Sequence, residues 1–371
     1  MIRLLVVDDS ALMRRLMSEV FTEAGDFEIA FARDGLDALA QLESFKPNVI
    51  TLDVQMPNMD GLTCLDRIML ERPCPVVMIS SLTQAGVETT LKALAMGAVD
   101  FIAKPDGAIS LKIDELAPIL VDKVRQAAKS RPRAAHRLAE RVRLRSGATA
   151  TARPATRRIA PKIAVEPLQG TDNGEAVVLI GTSTGGPAAL DALLSSLPAD
   201  FPWPLVVAQH MPATFTDALA RRLDRLCALD VLEVRRPTPL VRGRVYIGKG
   251  DADVILGARP EGLVVLAAPS SAEFRWHPSV ERLVMSALAH VPADRLIGVM
   301  MTGMGNDGAA AMAQIRQGGG HTIAEAEESA VVWGMPGELV RAGGAEFVVR
   351  LDEIADRLLD LVAAAAEVDE T

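Results

Sequence analysis

Short apolar runs, each stopping abruptly at a polar, charged or glycine residue, recur along this 371-residue chain. Each is followed by a stretch of helical period. Strand-length runs alternating with helix-length stretches build parallel sheets with helices on both faces. Such sheets place ligands and reactive groups at the carboxyl ends of their strands. The residues that stop the runs are therefore where chemistry is expected.

In the first third, Arg3–Val7 runs into Asp8 and Asp9, Phe27–Ala32 is a second run, and Val49–Leu52 stops at Asp53. Pro75–Ile79 stops at Ser80, and Val99–Ala103 stops at Lys104 and Pro105. Ser10 is suited to cap a helix whose apolar face is Leu12, Met13, Leu16, Met17, Val20 and Phe21. Further helices are predicted over Gly35–Leu42, from Gly61 to about Leu70, over Gln84–Met96 and over Lys112–Lys129. A lone Asp after a strand reads as a cap or turn residue. Asp8, Asp9 and Asp53 together on one sheet edge repel one another unless a cation joins them. Oxygen ligands of this kind suit Mg²⁺. Asp53 could then take a phosphoryl group as an aspartyl phosphate, with Lys104 neutralising the added charge.

The second half repeats the pattern. Val177–Ile180 stops at Gly181, and Thr182, Ser183, Thr184, Gly185, Gly186 and Pro187 follow. Pro187 suits the first turn of a helix reaching Leu197. Ser183 thus sits between a strand end and helical amides that could stabilise an oxyanion. Those of Thr184 and Gly185 are the nearest candidates. The same turn would serve as a phosphate-binding loop, or as a tight connection capped by Ser183. Leu205–Ala208 ends at Gln209 and His210, and Leu296–Met301 ends at Thr302, Gly303, Met304, Gly305, Asn306, Asp307 and Gly308. A hydroxyl needs a base to become nucleophilic, imidazole titrates near neutrality, and a carboxylate fixes its tautomer. Ser183, His210 and Asp307, each after a strand, form such a set. The Met304 amide is a further oxyanion candidate. Glycine spacing over Val241–Pro269 predicts a β-hairpin excursion carrying Val245–Ile247, Val254–Leu256 and Leu263–Leu266. The order Ser, His, Asp differs from the Ser, acid, His order of α/β-hydrolases, despite the Gly-x-Ser-x-Gly pattern at Gly181–Gly185.

Charge divides the chain. Between Lys123 and Lys162 stand 13 Lys and Arg against one acid, Glu140, so a chain of net charge −9 carries −21 elsewhere. Residues 126–175 read as a basic flexible linker between a domain at 1–125 and another at 176–368. An Arg-rich helix at Pro132–Leu144 would precede a linker at Ala148–Pro161. The segment is either a solvated tether or an arm for acidic surfaces. One Tyr and three Trp leave no platform for stacking bases. With no helix-turn-helix pattern either, nucleic acid is not an expected partner. Cys64, Cys74 and Cys227 show no disulfide or metal spacing, which suits a reducing cytoplasm. No apolar run reaches about 18 residues, so membrane insertion is not expected.

Asp8-Asp9, Asp53 with Met56-Pro57 and Asp60-Gly61, Ser80, and Lys104-Pro105 resemble the receiver domain of two-component response regulators. The resemblance implies a flavodoxin-like fold, Mg²⁺-dependent phosphorylation of Asp53 by a histidine kinase, and a switch through Ser80, Phe101 and Lys104. The segments Gly181–Gly186, Gln209–Pro212, Thr302–Gly308 and Val332–Pro336 resemble the chemotaxis protein-glutamate methylesterases of the CheB family. That resemblance implies a second doubly wound, mostly parallel α/β domain with a Ser183, His210 and Asp307 triad and no cofactor there. It implies hydrolysis of glutamate methyl esters, and deamidation of some glutamines, on methyl-accepting chemotaxis receptors. It also implies a chemotaxis histidine kinase as phosphodonor, and an unphosphorylated receiver that covers the esterase cleft. Two segments depart from the family pattern, His277–Glu281 and Glu325-Ala326. Both are expected to bear on receptor choice or docking, since neither changes the triad.

Overall fold

The computed structural model describes residues 1–104, 109–130 and 176–369. Pro105 and the expected helix and linker of the basic connector lie outside the described residues. The chain divides into two compact units, Met1–Arg157 and Arg158–Thr371.

The first unit alternates strand and helix throughout: β1 (Ile2–Val7), α1 (Ala11–Ala24), β2 (Phe27–Ala32), α2 (Gly35–Phe45), β3 (Val49–Asp53), α3 (Gly61–Glu71), β4 (Val76–Ser80), α4 (Gln84–Ala95), β5 (Asp100–Ala103) and α5 (Ile109–Lys129). The strands are parallel in the order β2-β1-β3-β4-β5, the flavodoxin-like order. Ser10 caps α1 by accepting from the Met13 amide. Met13, Leu16, Met17, Val20 and Phe21 are buried beneath α1, while Leu12 is 55% exposed. The buried five follow the i, i+3, i+4, i+7, i+8 stripe of a helix; Leu12 falls off it.

The second unit begins with β6 (Val177–Thr182), α6 (Gly186–Leu194), β7 (Leu205–Gln209), α7 (Ala213–Leu226) and β8 (Asp230–Val234). Then come β9 (Thr238–Pro239), β10 (Arg244–Gly248), β11 (Ala252–Arg259), β12 (Gly262–Pro269) and α8 (Val280–Leu288). It closes with β13 (Leu296–Met300), α9 (Ala309–Gln317), β14 (His321–Glu325), α10 (Met335–Arg341), β15 (Phe347–Val349) and α11 (Ile354–Asp369). Seven strands pair in the order β15-β14-β13-β6-β7-β10-β8, all parallel. From β6 the chain winds toward β7, and from β13 it winds away toward β14. The crevice between β6 and β13 is therefore a topological switch point, where open α/β sheets bind ligands.

One expectation is corrected here. Val245–Ile247 does not belong to the hairpin excursion. It forms β10, inserted between β7 and β8 and parallel to both. Val245, Tyr246 and Ile247 are all fully buried, as in an interior parallel strand covered on both faces. The excursion is the antiparallel pair β11 and β12, with β9 beside β12. The Tyr246 hydroxyl donates to the Pro239 carbonyl at 2.7 Å, tying β10 to β9. Burial pushes this phenol up to about 12.

Among the described residues no helix is long and apolar enough to cross a membrane. Tyr246→Phe should cost about 1–2 kcal/mol by leaving the Pro239 carbonyl unsatisfied. Urea unfolding of the second unit reads this; an unchanged midpoint would show that the bond adds nothing.

Candidate active site

Ser183 lies one residue past β6 and His210 one past β7. Thr182 and Gln209 are register partners, so the two leave the sheet side by side. The His210 amide donates to the Thr182 carbonyl at 3.0 Å. The Gln209 side-chain amide donates to the Ser183 and His210 carbonyls, 3.0 Å each. Thr302, just past β13, holds the other flank. Its carbonyl accepts from the Ser183 amide and the Thr182 hydroxyl, both at 3.0 Å. Its own hydroxyl donates to the Thr184 carbonyl at 2.8 Å. The turn carrying Ser183 is thus tied to both neighbouring strands.

The imidazole of His210 is fixed by Asp307: Nε2 to Oδ2 is 2.9 Å. The other nitrogen, Nδ1, is buried and has no hydrogen-bond partner. The Ser183 hydroxyl therefore does not engage it here, as is common in free enzymes. Asp307 is held in turn by the start of α8. It accepts from the Ser279 hydroxyl (2.9 Å), the Val280 amide (2.6 Å) and the Glu281 amide (3.1 Å). Burial alone would raise its carboxyl. The His210 bond and the two helix amides outweigh burial and hold it below the ordinary carboxylate range. Glu281 is pushed the other way, by burial first and by the Asp307 charge after it. Neighbouring carboxylates driven apart in this manner leave Asp307 as the anion facing the imidazole.

Both segments that depart from the family pattern belong to this framework. Ser279, Val280 and Glu281 clamp Asp307 because a helix amino terminus has unpaired amides to give. Behind them the fully buried Asp253 accepts from His277 Nδ1 (2.9 Å), the Ser279 amide (2.8 Å) and Arg282 (2.7 Å). Glu325, also fully buried, accepts from the Thr302 amide at 2.8 Å. Trp276, half-buried, stacks on His210 with ring centroids 5.8 Å apart and planes 3° from parallel. Sequence reasoning selected none of Gln209, Asp253, Trp276, Ser279, Thr302 and Glu325 as functional. Only the cap pattern of Ser279 before an apolar helix carried a local signal.

The oxyanion candidates border the same turn. Thr184 is buried, Gly185 is the N-cap of α6 with φ +79°, and Met304 follows Gly303. The Gly303 carbonyl accepts from the Gly334 and Met335 amides (3.1 and 2.9 Å). A Cβ at Gly303 would meet Met335 Sδ first, and would stand 2.9 Å from Ser183 Cβ and 3.0 Å from the Ser183 amide nitrogen.

In the first unit, Lys104 Nζ lies 2.7 Å from Asp53 and 3.2 Å from Asp8. One carboxylate oxygen each from Asp8, Asp9 and Asp53 lies within 4.8 Å of the others. This donor set fits a hard divalent cation. Burial raises the Asp53 carboxyl against the lowering pull of Lys104. Ser80 is buried and turned to α4, accepting from the Thr90 hydroxyl at 2.6 Å. Phe101 is buried too, with Lys123 Nζ 3.0 Å from its carbonyl.

The CheB methylesterase family model matches residues 178–358, and the response regulator receiver domain model matches residues 4–113. A protein-glutamate methylesterase/protein-glutamine glutaminase 2 of Rhodopseudomonas palustris (strain BisB18) is 58% identical over 97% of this chain and 98% of its own. The chain belongs to the CheB methylesterase family. A second member, protein-glutamate methylesterase/protein-glutamine glutaminase 3 of Rhodospirillum rubrum, is 53% identical over 96% of this chain and 95% of its own. The crystal structure of the Thermotoga maritima CheB methylesterase catalytic domain is 36% identical. It covers 51% of this chain and 100% of that one, with a TM-score of 0.49. Within the family, the crowding at Gly303 has a direct consequence. Gly303→Ala should displace Ser183 and lower the methylesterase rate by about 100-fold, the usual cost of a misplacement near 1 Å. A variant above half the wild-type rate would show that the Ser183 turn tolerates the shift.

Proposed function

We propose that this chain is a phosphorylation-regulated protein-glutamate methylesterase of the cytoplasm. It hydrolyses glutamate methyl esters, and deamidates some glutamines, on methyl-accepting chemotaxis receptors during sensory adaptation. Residues 1–125 form the receiver, 126–175 the basic linker and 176–368 the catalytic domain. The observation that carries the reading is His210: its backbone leaves the sheet beside the Ser183 turn, Asp307 grips Nε2, and Nδ1 stays buried and unpartnered.

Ser183 is the nucleophile. Its hydroxyl proton passes to His210 Nδ1 as Oγ bonds to the ester carbonyl carbon. Asp307 stabilises the imidazolium that forms. The amides of Thr184, Gly185 and Met304 are the candidates to receive the oxyanion. Collapse of the tetrahedral intermediate breaks the bond to the methoxy group, which leaves as methanol with the proton from Nδ1. A water then gives a proton to the same nitrogen, attacks the acyl-enzyme and releases the glutamate carboxylate with Ser183 restored.

Asp53 is the phosphoryl acceptor, with a chemotaxis histidine kinase as donor. Asp8, Asp9 and Asp53 would hold Mg²⁺, which when bound would neutralise charge on the incoming phosphoryl oxygens. Phosphorylation adds about −1.5 to −2 charges, to which Lys104 would respond, with Ser80 and Phe101 rearranging. The unphosphorylated receiver inhibits the catalytic domain.

Ser183→Ala and His210→Ala should each lower methanol release from methylated receptor membranes by several orders of magnitude. Their effects should not add, because such residues act as a unit. Near-wild-type release by either variant would overturn the serine mechanism. Asp53→Asn should take no label from acetyl phosphate with Mg²⁺ and should hold the enzyme at its basal rate. Persistent labelling would place the acceptor elsewhere. Deleting residues 1–150 should raise the basal rate, and a folded deletion protein no faster than the unphosphorylated full chain would refute inhibition.

A further inference from the structure

We propose that Trp276 is a positioning residue whose ring face stabilises the His210 imidazolium during turnover. The proposal rests on the reading of His210 as the base that takes the Ser183 proton. Three observations support it. The indole and imidazole planes are 3° from parallel with centroids 5.8 Å apart, the offset-stacked geometry of aromatic pairs. The His210 side chain is only 7% exposed, so water cannot solvate a charge that forms on it. The indole is also wedged in place: a Cβ on Gly305 would lie 2.7 Å from its ring. Gly305 stands two residues before Asp307, so the loop that delivers the carboxylate to the edge of the imidazole also seats the indole on its face.

The physical consequence follows from when the charge exists. A base starts without the proton it takes, and until then stacking only limits rotation of the ring about the Asp307 bond. When Nδ1 takes the proton, the ring becomes a cation lying over an indole. Indole is the strongest of the aromatic faces for a cation, and desolvation strengthens the attraction. An interaction made mainly after proton transfer raises kcat and leaves substrate affinity largely alone. Other charged groups bear on the pair. Asp307 is bonded to Nε2 and Glu281 adjoins Asp307. The exposed Arg275 guanidinium carbon lies 5.2 Å from the indole centroid. Behind them, His277 and Arg282 are paired with Asp253. Changing Trp276 removes the Arg275 contact and leaves the side chains of the others in place.

The test compares Trp276→Phe and Trp276→Leu in the full-length enzyme, with steady-state kinetics on methylated receptor membranes and melting curves for the fold. Trp276→Leu should lower kcat by about tenfold, equivalent to about 1.4 kcal/mol, with KM within about twofold. Trp276→Phe, which keeps a ring face, should recover most of that loss. In a His210→Gln background, Trp276→Leu should change the residual rate by less than about twofold, because the coupled pair is already broken. A wild-type kcat for Trp276→Leu would overturn the proposal. So would a loss confined to KM, which would make Trp276 a wall for substrate, or an equal loss in the His210→Gln background, which would make it a structural support. A wild-type rate for His210→Gln itself would instead sink the underlying serine mechanism, so the two failures are distinguishable.

Discussion

The catalytic unit depends on one carboxylate being held in two directions at once. Asp307 faces His210 on one side and the amino terminus of α8 on the other. A buried carboxylate is costly unless its oxygens are satisfied. Here they receive a hydroxyl, two amides that no helix turn can use, and an imidazole nitrogen. The helix thereby gains a cap and the carboxylate stays ionised, so stability and electrostatic readiness come from the same bonds. The arrangement also explains the packing order. α8 lies on β11 and β6, which carries its first turn to the mouth of the crevice between β6 and β13. The antiparallel pair that looks like an ornament on the sheet is part of the support for that turn.

Much of this was legible in the sequence, for a reason that is physical. A parallel strand buried on both faces must be apolar along its length, and the first polar residue after it marks the sheet edge. Asp8, Asp53, Ser80 and Lys104 were found by that rule; Ser183 and His210, each one residue further on, also needed the chemistry of a hydroxyl and its base. Asp307 is farther from its strand, seven residues past Met300, and was found as the carboxylate after that strand which completes the set with Ser183 and His210. The rule fails where the chain reaches the site sideways. Trp276 and Ser279–Glu281 approach from a loop whose position depends on buried Asp253, a tertiary contact with no local period. Thr302 and Glu325 were invisible as functional groups for the opposite reason. They sit where strand-end polar residues are common, and only hydrogen bonds distinguish them: those of Thr302 to the Ser183 turn, and that of Glu325 to Thr302. β10 was misassigned because glycine spacing describes turns, while strand order depends on which neighbour covers the strand.

The receiver unit uses the same geometry for a different balance of charge. Its carboxylates converge with Lys104 between two of them, and burial of Asp53 opposes ionisation where Lys104 favours it. The site is thus poised for added positive charge, which is the property a cation-dependent phosphoryl acceptor needs. In the catalytic unit the helix amides around Asp307 do the corresponding work, and they do it permanently. That difference suits the proposed roles: a switch needs a charge balance that a ligand can tip, whereas a triad carboxylate needs one that nothing tips.

The same contrast bears on how tightly each site can be built. Around Ser183 the backbone is pinned by Thr302 and Gln209 and leaves no room for a Cβ at Gly303. A nucleophile must meet a carbonyl carbon within a few tenths of an ångström, so rigidity favours the reaction. Ser80 and Phe101 are also buried: the Ser80 hydroxyl accepts from Thr90 and donates to the Gly86 carbonyl, and the Phe101 carbonyl accepts from the Lys123 ammonium. In the proposed switch, contacts of that kind would be exchanged when charge arrives at Asp53. On the proposed reading, residues drawn from the same strand-end positions serve as a fixed catalyst in one half of the chain and as a movable switch in the other.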